Sequence, residues 1–266
     1  MITSSIPTDM DMANWWALLS PQGKIQAEGL IGWDGDGYIL DIAKENKPPF
    51  LSKMNMFKLR AEVKITDLGE THRVGWSEQS IPGEGWIEHL DSRNKHFSDH
   101  EKNLGFRIIA AKENTKKWMK GSDEFTIRRI NLGISQLGED FMPDTLFPHD
   151  IGMDLLDGID FAKGCYVGQE VVSRMRHRGN IRKRPLIVSM DETEGKAIDL
   201  DEEILLNGKK IGNVGRVIKG KAVAIVRLDR LSANANNAAY AKIAGHNVTL
   251  ATPAWASYDF MPDSKK

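Results

Sequence analysis

A chain of 266 residues, 41% of them hydrophobic, can bury a substantial core and at this length divides into two or three compact units, which excludes a single small domain. With 36 Lys plus Arg against 37 Asp plus Glu, the formal net charge of −1 exerts no global attraction on nucleic acid or an anionic membrane, so any charge-based recognition is local. One cysteine, Cys165, allows no internal disulfide, and the chain lacks the Cys/His cluster of a structural zinc or a resident cluster cradle.

The N-terminal stretch MITSSIPTDMDMANWW has neither a basic start before an apolar run nor an Arg-rich amphipathic pattern, and no later stretch approaches membrane-spanning length. The expectation is a cytoplasmic protein with no membrane partner and no bound metal. From Lys24 to Ile42, the runs KIQAEGLIGW and YILDIA flank the turn Asp34-Gly35-Asp36-Gly37, which predicts a β-hairpin. Pro48-Pro49 then opens a helix in which Phe50, Leu51, Met54, Phe57 and Leu59 recur at helical spacing. From Val63 the pattern predicts short strands, VKITDL, THRVGWS and LGFRIIAA, separated by a Pro/Gly-bearing loop and the polar stretch from Asp91 to Asn103.

After Asn114, the spacing of Trp118, Phe125, Ile127 and Ile130 predicts a helix leading into Gly133, weakened by Gly121. The Pro-, Gly- and Asp-rich SQLGEDFMPDTLFPHDIG reads as a long loop of the kind that carries function. Beyond Arg184 the texture is all-β: PLIVSMD, then EEILLNGKKIGNVGRVI turning at Asn207-Gly208, then KAVAIVRLDR and HNVTLATPAWA, together a small barrel. The one low-complexity tract is the Asn/Ala run from Ala233 to Tyr240.

Chemistry concentrates in FAKGCYVGQEVVSRMRHRGNIRKR, Phe161 to Arg184. Seven cations (Lys163, Arg174, Arg176, Arg178, Arg182, Lys183 and Arg184) stand there against one acid, Glu170, a local excess inside a neutral chain. Gly164 and Gly168 bracket Cys165-Tyr166-Val167 and permit a tight turn. QEVVSRMRHR follows as an amphipathic helix ended by Gly179, with Glu170 and Arg174 four apart on its polar face. Backbone N–H groups, Tyr166 and Gln169 at the start of that helix would suit an anion or a heterocycle. Each residue also has a plainer reading: a lone cysteine is more often a small buried hydrophobe, and a basic helix end is more often a solvated surface that complements the helix dipole.

The string KGCYVGQE, followed by Arg174 and by Arg178-Gly179, resembles the signature of the YgfZ group of the T-protein (aminomethyltransferase) superfamily. LLSPQGKI, RINLGI, the approach from Pro148 to Leu156, IGNVGRV and VAIVRLDR agree in order, so the resemblance covers essentially the whole chain. It implies an α+β fold of two ferredoxin-like units plus a small C-terminal β-barrel in a ring-like cloverleaf, with tetrahydrofolate or a one-carbon derivative in a central channel. The implied division is 1–46 with 128–181 as a discontinuous folate-binding unit, 47–127 as the second unit and 182–266 as the barrel. Carried over by matching position, the site residues are Glu28, Arg129, Lys163, Gly164, Tyr166, Gly168, Gln169, Glu170, Arg174 and Arg178, with Cys165 as the functional thiol. Carboxylate and amide groups suit the edge of a pterin, an aromatic its face, and Arg or Lys the glutamate tail.

Two departures from the family pattern shape the expected function. The first unit reads as shortened, with Ser5 where relatives carry an acid, which implies an uncovered sheet edge. The acidic pair of glycine-cleavage enzymes is reduced to Ala27-Glu28, so one carboxylate remains and the aminomethyltransferase alternative loses ground. The leading expectation is a folate-binding accessory protein for iron–sulphur cluster assembly or repair or for tRNA modification. Its partners would be folate and iron–sulphur enzymes or cluster-assembly proteins, and an RNA-binding reading rests only on the basic segment from Arg174 to Arg184.

Overall fold

The computed structural model describes residues 1–81, 83, 85–97, 103–119, 123–179, 181–190, 198–232 and 241–258. The Asn/Ala run, Gly121 and part of the Asp91-to-Asn103 stretch lie outside them.

The first half of the chain builds one six-stranded sheet. β1 (Met12–Leu19), β2 (Ile25–Trp33) and β3 (Tyr38–Ile42) form an antiparallel meander, and β4 (His72–Ser77), β5 (Trp86–Asp91) and β6 (Phe106–Ala111) form a second antiparallel set. The order is β3-β2-β1-β5-β6-β4, and the two halves meet where β1 and β5 run parallel over Met12↔Leu90 and Ala13↔Asp91. The sequence pattern anticipates the β2–β3 hairpin but neither β1 nor β5. For β1 the reason is burial on both faces. Ala13, Trp15, Ala17 and Leu19 enter one core while Trp16 and Leu18 enter another, so the strand shows a continuous apolar run instead of an alternation.

Helix α1 (Lys47–Lys58), with proline in its first turn, covers the second of those faces. Its Phe50 meets Trp16 with ring centroids 5.2 Å apart. The strand expected at VKITDL does not form, and the chain from Leu59 to Leu68 has no regular structure. The helix expected from Asn114 is confined, among the described residues, to a single-turn 3₁₀ segment, Lys112–Thr115, and α2 (Glu124–Asn131). Loop and 3₁₀ turns then lead to α3 (Gln169–Arg178), which ends at Gly179 in the left-handed conformation as its sequence predicts.

The last part of the chain, from Lys183 onward, is a closed six-stranded barrel. β7 (Lys183–Met190), β8 (Glu203–Leu206), β9 (Lys209–Val214), β10 (Lys221–Arg227), β11 (Ala241–Ile243) and β12 (His246–Ala251) pair in the order β10-β7-β12-β11-β8-β9, and α4 (Leu228–Ser232) follows β10. The period of two is explicit in β10: Ala222, Ala224 and Val226 fill the barrel, while Ile225 points outward into the main core beside the sheet. The expected α+β fold with a C-terminal barrel is therefore the fold of the chain.

The N-terminal residues are tied into this frame. Thr3 donates from its backbone to Ala17 O at 2.9 Å, its hydroxyl donates to Gly158 O at 2.6 Å and accepts from Ala17 N–H at 2.9 Å, and Asp160 N–H donates to Thr3 O. Thr3→Val keeps the volume and deletes the hydroxyl, leaving a buried N–H and C=O unmet. The expected loss is about 1–3 kcal/mol, read as a lower midpoint in thermal or urea unfolding.

Candidate functional site

The cysteine motif forms a loop whose flanks are clamped and whose thiol is free. Asp160 opens it, its carboxylate accepting from Ala162 N–H at 2.8 Å and Lys163 N–H at 3.2 Å. The Lys163 ammonium turns inward and donates to Ile2 O at 2.9 Å and Ser4 O at 2.6 Å, and burial lowers its pKa. Tyr166 packs in the main core, where burial, helped by the Asp160 charge, pushes its phenol up to about 12. Gly168 has φ +82°, and a Cβ there would stand 2.7 Å from Ser20 O and 3.0 Å from Gly23 Cα, so glycine lets the start of α3 press against the β1–β2 turn. Between these anchors Cys165 is exposed, as is Gly164. The plainer reading of the cysteine as a buried hydrophobe does not hold.

Helix α3 continues the loop with Val172 buried and its cations outside. Glu170 and Arg174 approach to 3.7 Å in solvent, a pair worth about 0.3–0.5 kcal/mol. Arg176 lies over the Phe161 ring at 3.9 Å, Arg178 is exposed in the last turn, and half-buried Gln169 donates its backbone N–H to Tyr166 O at 3.2 Å. What the motif presents to solvent is the Cys165 thiol and, along α3, the Arg174, Arg176 and Arg178 side chains.

Glu28 and Arg129 are elsewhere, inside the protein. One Glu28 oxygen accepts from Trp15 Nε1 and the other from Leu137 N–H at 3.0 Å, and burial raises its pKa. Arg93 lies over the Trp15 ring at 4.7 Å and forks onto Asp91, Nε to Oδ1 at 2.9 Å and Nη2 to Oδ2 at 2.6 Å. Arg129 Nη1 donates to Ile134 O at 2.7 Å and to Asp140 Oδ2, which also accepts from Gln136 N–H at 2.8 Å. Arg128, one residue earlier on α2, points the other way.

Two cavities lie away from the motif. The larger, about 1080 Å³, opens between the β4–β6 face, α2 and Lys221 of β10. Three tryptophans give it its character. Trp86 and Trp118 meet edge to face at 5.3 Å, Trp76 packs on Phe125 at 5.7 Å, and Arg128 lies over Trp76 at 5.4 Å while pairing with Glu78. Gly75 makes the arrangement possible, since a Cβ there would stand 2.7 Å from the Trp118 ring. Lys221 donates to Asn131 Oδ1 at 2.8 Å. The smaller cavity, about 310 Å³, runs along the seam between the barrel and residues Asp140 to Leu146, with Lys183, Lys210, Arg227 and Arg230 on its wall. Neither is lined by Glu28, Arg129, Lys163, Gly164, Cys165, Tyr166, Gly168, Gln169, Glu170, Arg174 or Arg178. The tryptophans escape a motif-based reading because they are scattered over the sequence, and only the abundance of the residue, seven in 266, hints at them.

The fold is that of the aminomethyltransferases. A crystal structure of glycine cleavage system aminomethyltransferase T from Bartonella henselae superposes with a TM-score of 0.67, covering 93% of this chain and 77% of that one at 13% identity. Residues 182–258 match the model described as CAF17, C-terminal beta-barrel domain. Among curated proteins the chain is similar to those described as iron-sulfur cluster assembly factor IBA57 homolog, mitochondrial. The one from Mycosarcoma maydis is 31% identical over 179 residues (62% of this chain, 43% of that one), and the one from Coccidioides immitis 32% over 176 residues (59% and 40%). The one from Dictyostelium discoideum is 27% identical over 187 residues (64% and 45%). The chain thus spans less than half the length of these three relatives. Their shared mitochondrial designation overturns the cytoplasmic expectation.

The buried network makes a pH prediction. Burial pushes the Asp140 carboxyl from 3.8 up to about 6, against the pull of Arg129. The folded state then binds the proton more tightly than the unfolded one, so this group's contribution is largest below its unfolded pKa and is lost as pH rises to about 6. Urea unfolding across this range should show that decline, and Asp140→Asn should flatten it. Arg129→Met, which strands Asp140 without its cation, should cost about 3–5 kcal/mol at neutral pH in the same assay.

Proposed function

We propose that this chain is a folate-binding accessory protein of iron–sulphur cluster assembly, close in role to the YgfZ-type proteins, with Cys165 as the thiol that meets cluster-bearing partners. The observation that carries the reading is the exposed Cys165 on a loop anchored at Lys163, Tyr166 and Gly168. Fixed flanks hold the sulphur at a defined place, and solvent access lets a second protein reach it. The similarity to proteins described as iron-sulfur cluster assembly factors supports the same reading. Among the described residues no three His, Cys, Asp or Glu side chains gather as metal ligands would. One thiol supplies one ligand, so in this account the cluster is cargo and the partner contributes the remaining ligands.

The aminomethyltransferase alternative fares worse on geometry. Glu28, the carboxylate nearest to the family's acidic pair, is enclosed and accepts from Trp15 and Leu137, which leaves it unsuited to proton transfer with a substrate.

For tetrahydrofolate, the tryptophan-lined cavity fits the chemistry better than the cysteine turn does. Its volume of about 1080 Å³ lies just above the roughly 300–1,000 Å³ usual for small-molecule sites. Indole faces suit a stacked pterin, and Lys117 and Lys221 suit a carboxylate tail.

Cys165→Ser should unfold at the same temperature as the parent yet fail to restore iron–sulphur enzyme activities in cells lacking their own copy; full restoration would remove the thiol from the account. Separately, 5-formyltetrahydrofolate at about a hundred times its Kd should stabilise the protein by about 2.7 kcal/mol and quench its tryptophan fluorescence. Trp118→Ala should abolish both effects, and an unchanged response in that variant would remove folate from this cavity.

A further inference from the structure

The turn that ends α1 exposes apolar side chains that the core does not use. Leu59 is 86% exposed, Met56 61%, Val63 53% and Phe57 37%, all within eight residues. Isolated surface leucines are ordinary, but a run of this density is not. The backbone holds the run out: Leu59 has φ +49° and ψ −116°, a conformation costly for a side chain of its size, and Ala61 N–H bonds to Lys58 O while Val63 N–H bonds to Ala61 O. The result is an apolar knuckle in which Leu59 is the most exposed side chain.

Cations flank it in the sequence. From Lys44 to Lys64 the chain carries Lys44, Lys47, Lys53, Lys58, Arg60 and Lys64 against Glu45 and Glu62. Lys47 pairs with Asp67 and Lys53 with Gln26, whereas Lys58, Arg60 and Lys64, which lie around Leu59 in the sequence, have no ion-pair partner among the described residues. The near-zero net charge conceals this local excess.

We propose that this knuckle is a peripheral docking element for an anionic lipid surface, with Leu59, Met56 and Val63 entering the interface and Lys58, Arg60 and Lys64 facing the headgroups. A run of exposed aliphatic and thioether side chains, interleaved in sequence with cations that have no ion-pair partner among the described residues, fits shallow insertion at a charged interface. The contact is with a surface: among the described residues no helix is long and apolar enough to cross a membrane. The proposal stands apart from the iron–sulphur reading, since it uses neither Cys165 nor the tryptophan cavity.

The test is sedimentation of the whole protein with vesicles of phosphatidylcholine alone and of phosphatidylcholine mixed with cardiolipin. Binding should require cardiolipin and weaken steeply in high salt. Leu59→Asp should reduce it on the order of tenfold or more, as should the pair Arg60→Glu and Lys64→Glu, with unfolding temperatures unchanged because these side chains are exposed. Absence of sedimentation, equal sedimentation with neutral vesicles, or wild-type binding by Leu59→Asp would each overturn the proposal, and the first would assign the knuckle to a protein partner instead.

Discussion

The buried contact between Arg129 and Asp140 is the constraint on which the rest of the architecture leans. It closes the turn after α2 by fixing Ile134 and Gln136, and that turn delivers Leu137 N–H to Glu28 on β2. Glu28 in turn holds Trp15 on β1, whose ring carries Arg93 and, through it, Asp91 at the end of β5. The same loop reaches the barrel, where Arg216 N–H donates to Glu139 O and Gly215 leaves room for Asp140. Both sheet halves, α2 and the barrel are thereby referenced to one set of charges. Pairs of this kind add little net stability over apolar packing, but they are costly to break and admit few alternative arrangements.

Both proposed sites sit outside this frame and use its rigidity. The cysteine loop borrows the N-terminal carbonyls through Lys163 and the core through Tyr166, so a solvent-facing sulphur is held by buried neighbours. The tryptophan cavity borrows α2 differently. Arg129 faces inward to Asp140, and Arg128, the residue before it, faces the Trp76 indole. One helix thus serves the interior with one residue and the cavity with its neighbour.

What was legible in the sequence is local. α3 declares itself through Val171, Val172 and Met175 and stops at Gly179, and the barrel hairpin β8–β9 declares itself through Asn207-Gly208. β1 stays hidden because both faces are buried, and β5 because it places His89 and Asp91 in the interior within a stretch that reads as polar loop. The expected strand at VKITDL fails because no neighbouring strand takes it up. The site is legible only in part. The resemblance points to Cys165, Glu28 and Arg129 alike, and the structure exposes the first while it encloses Glu28 against Trp15 and Leu137 and Arg129 against Ile134 and Asp140. Trp76, Trp86 and Trp118 converge only through tertiary structure, and no spacing rule joins them.

The central claim, that the chain holds a single thiol rigidly and openly, is most directly tested by the rate at which iodoacetamide alkylates Cys165 in the native protein. The account predicts one equivalent incorporated at a rate comparable to that of the urea-unfolded chain, with the alkylated protein still folded. A native thiol that stays protected until the protein unfolds would contradict it.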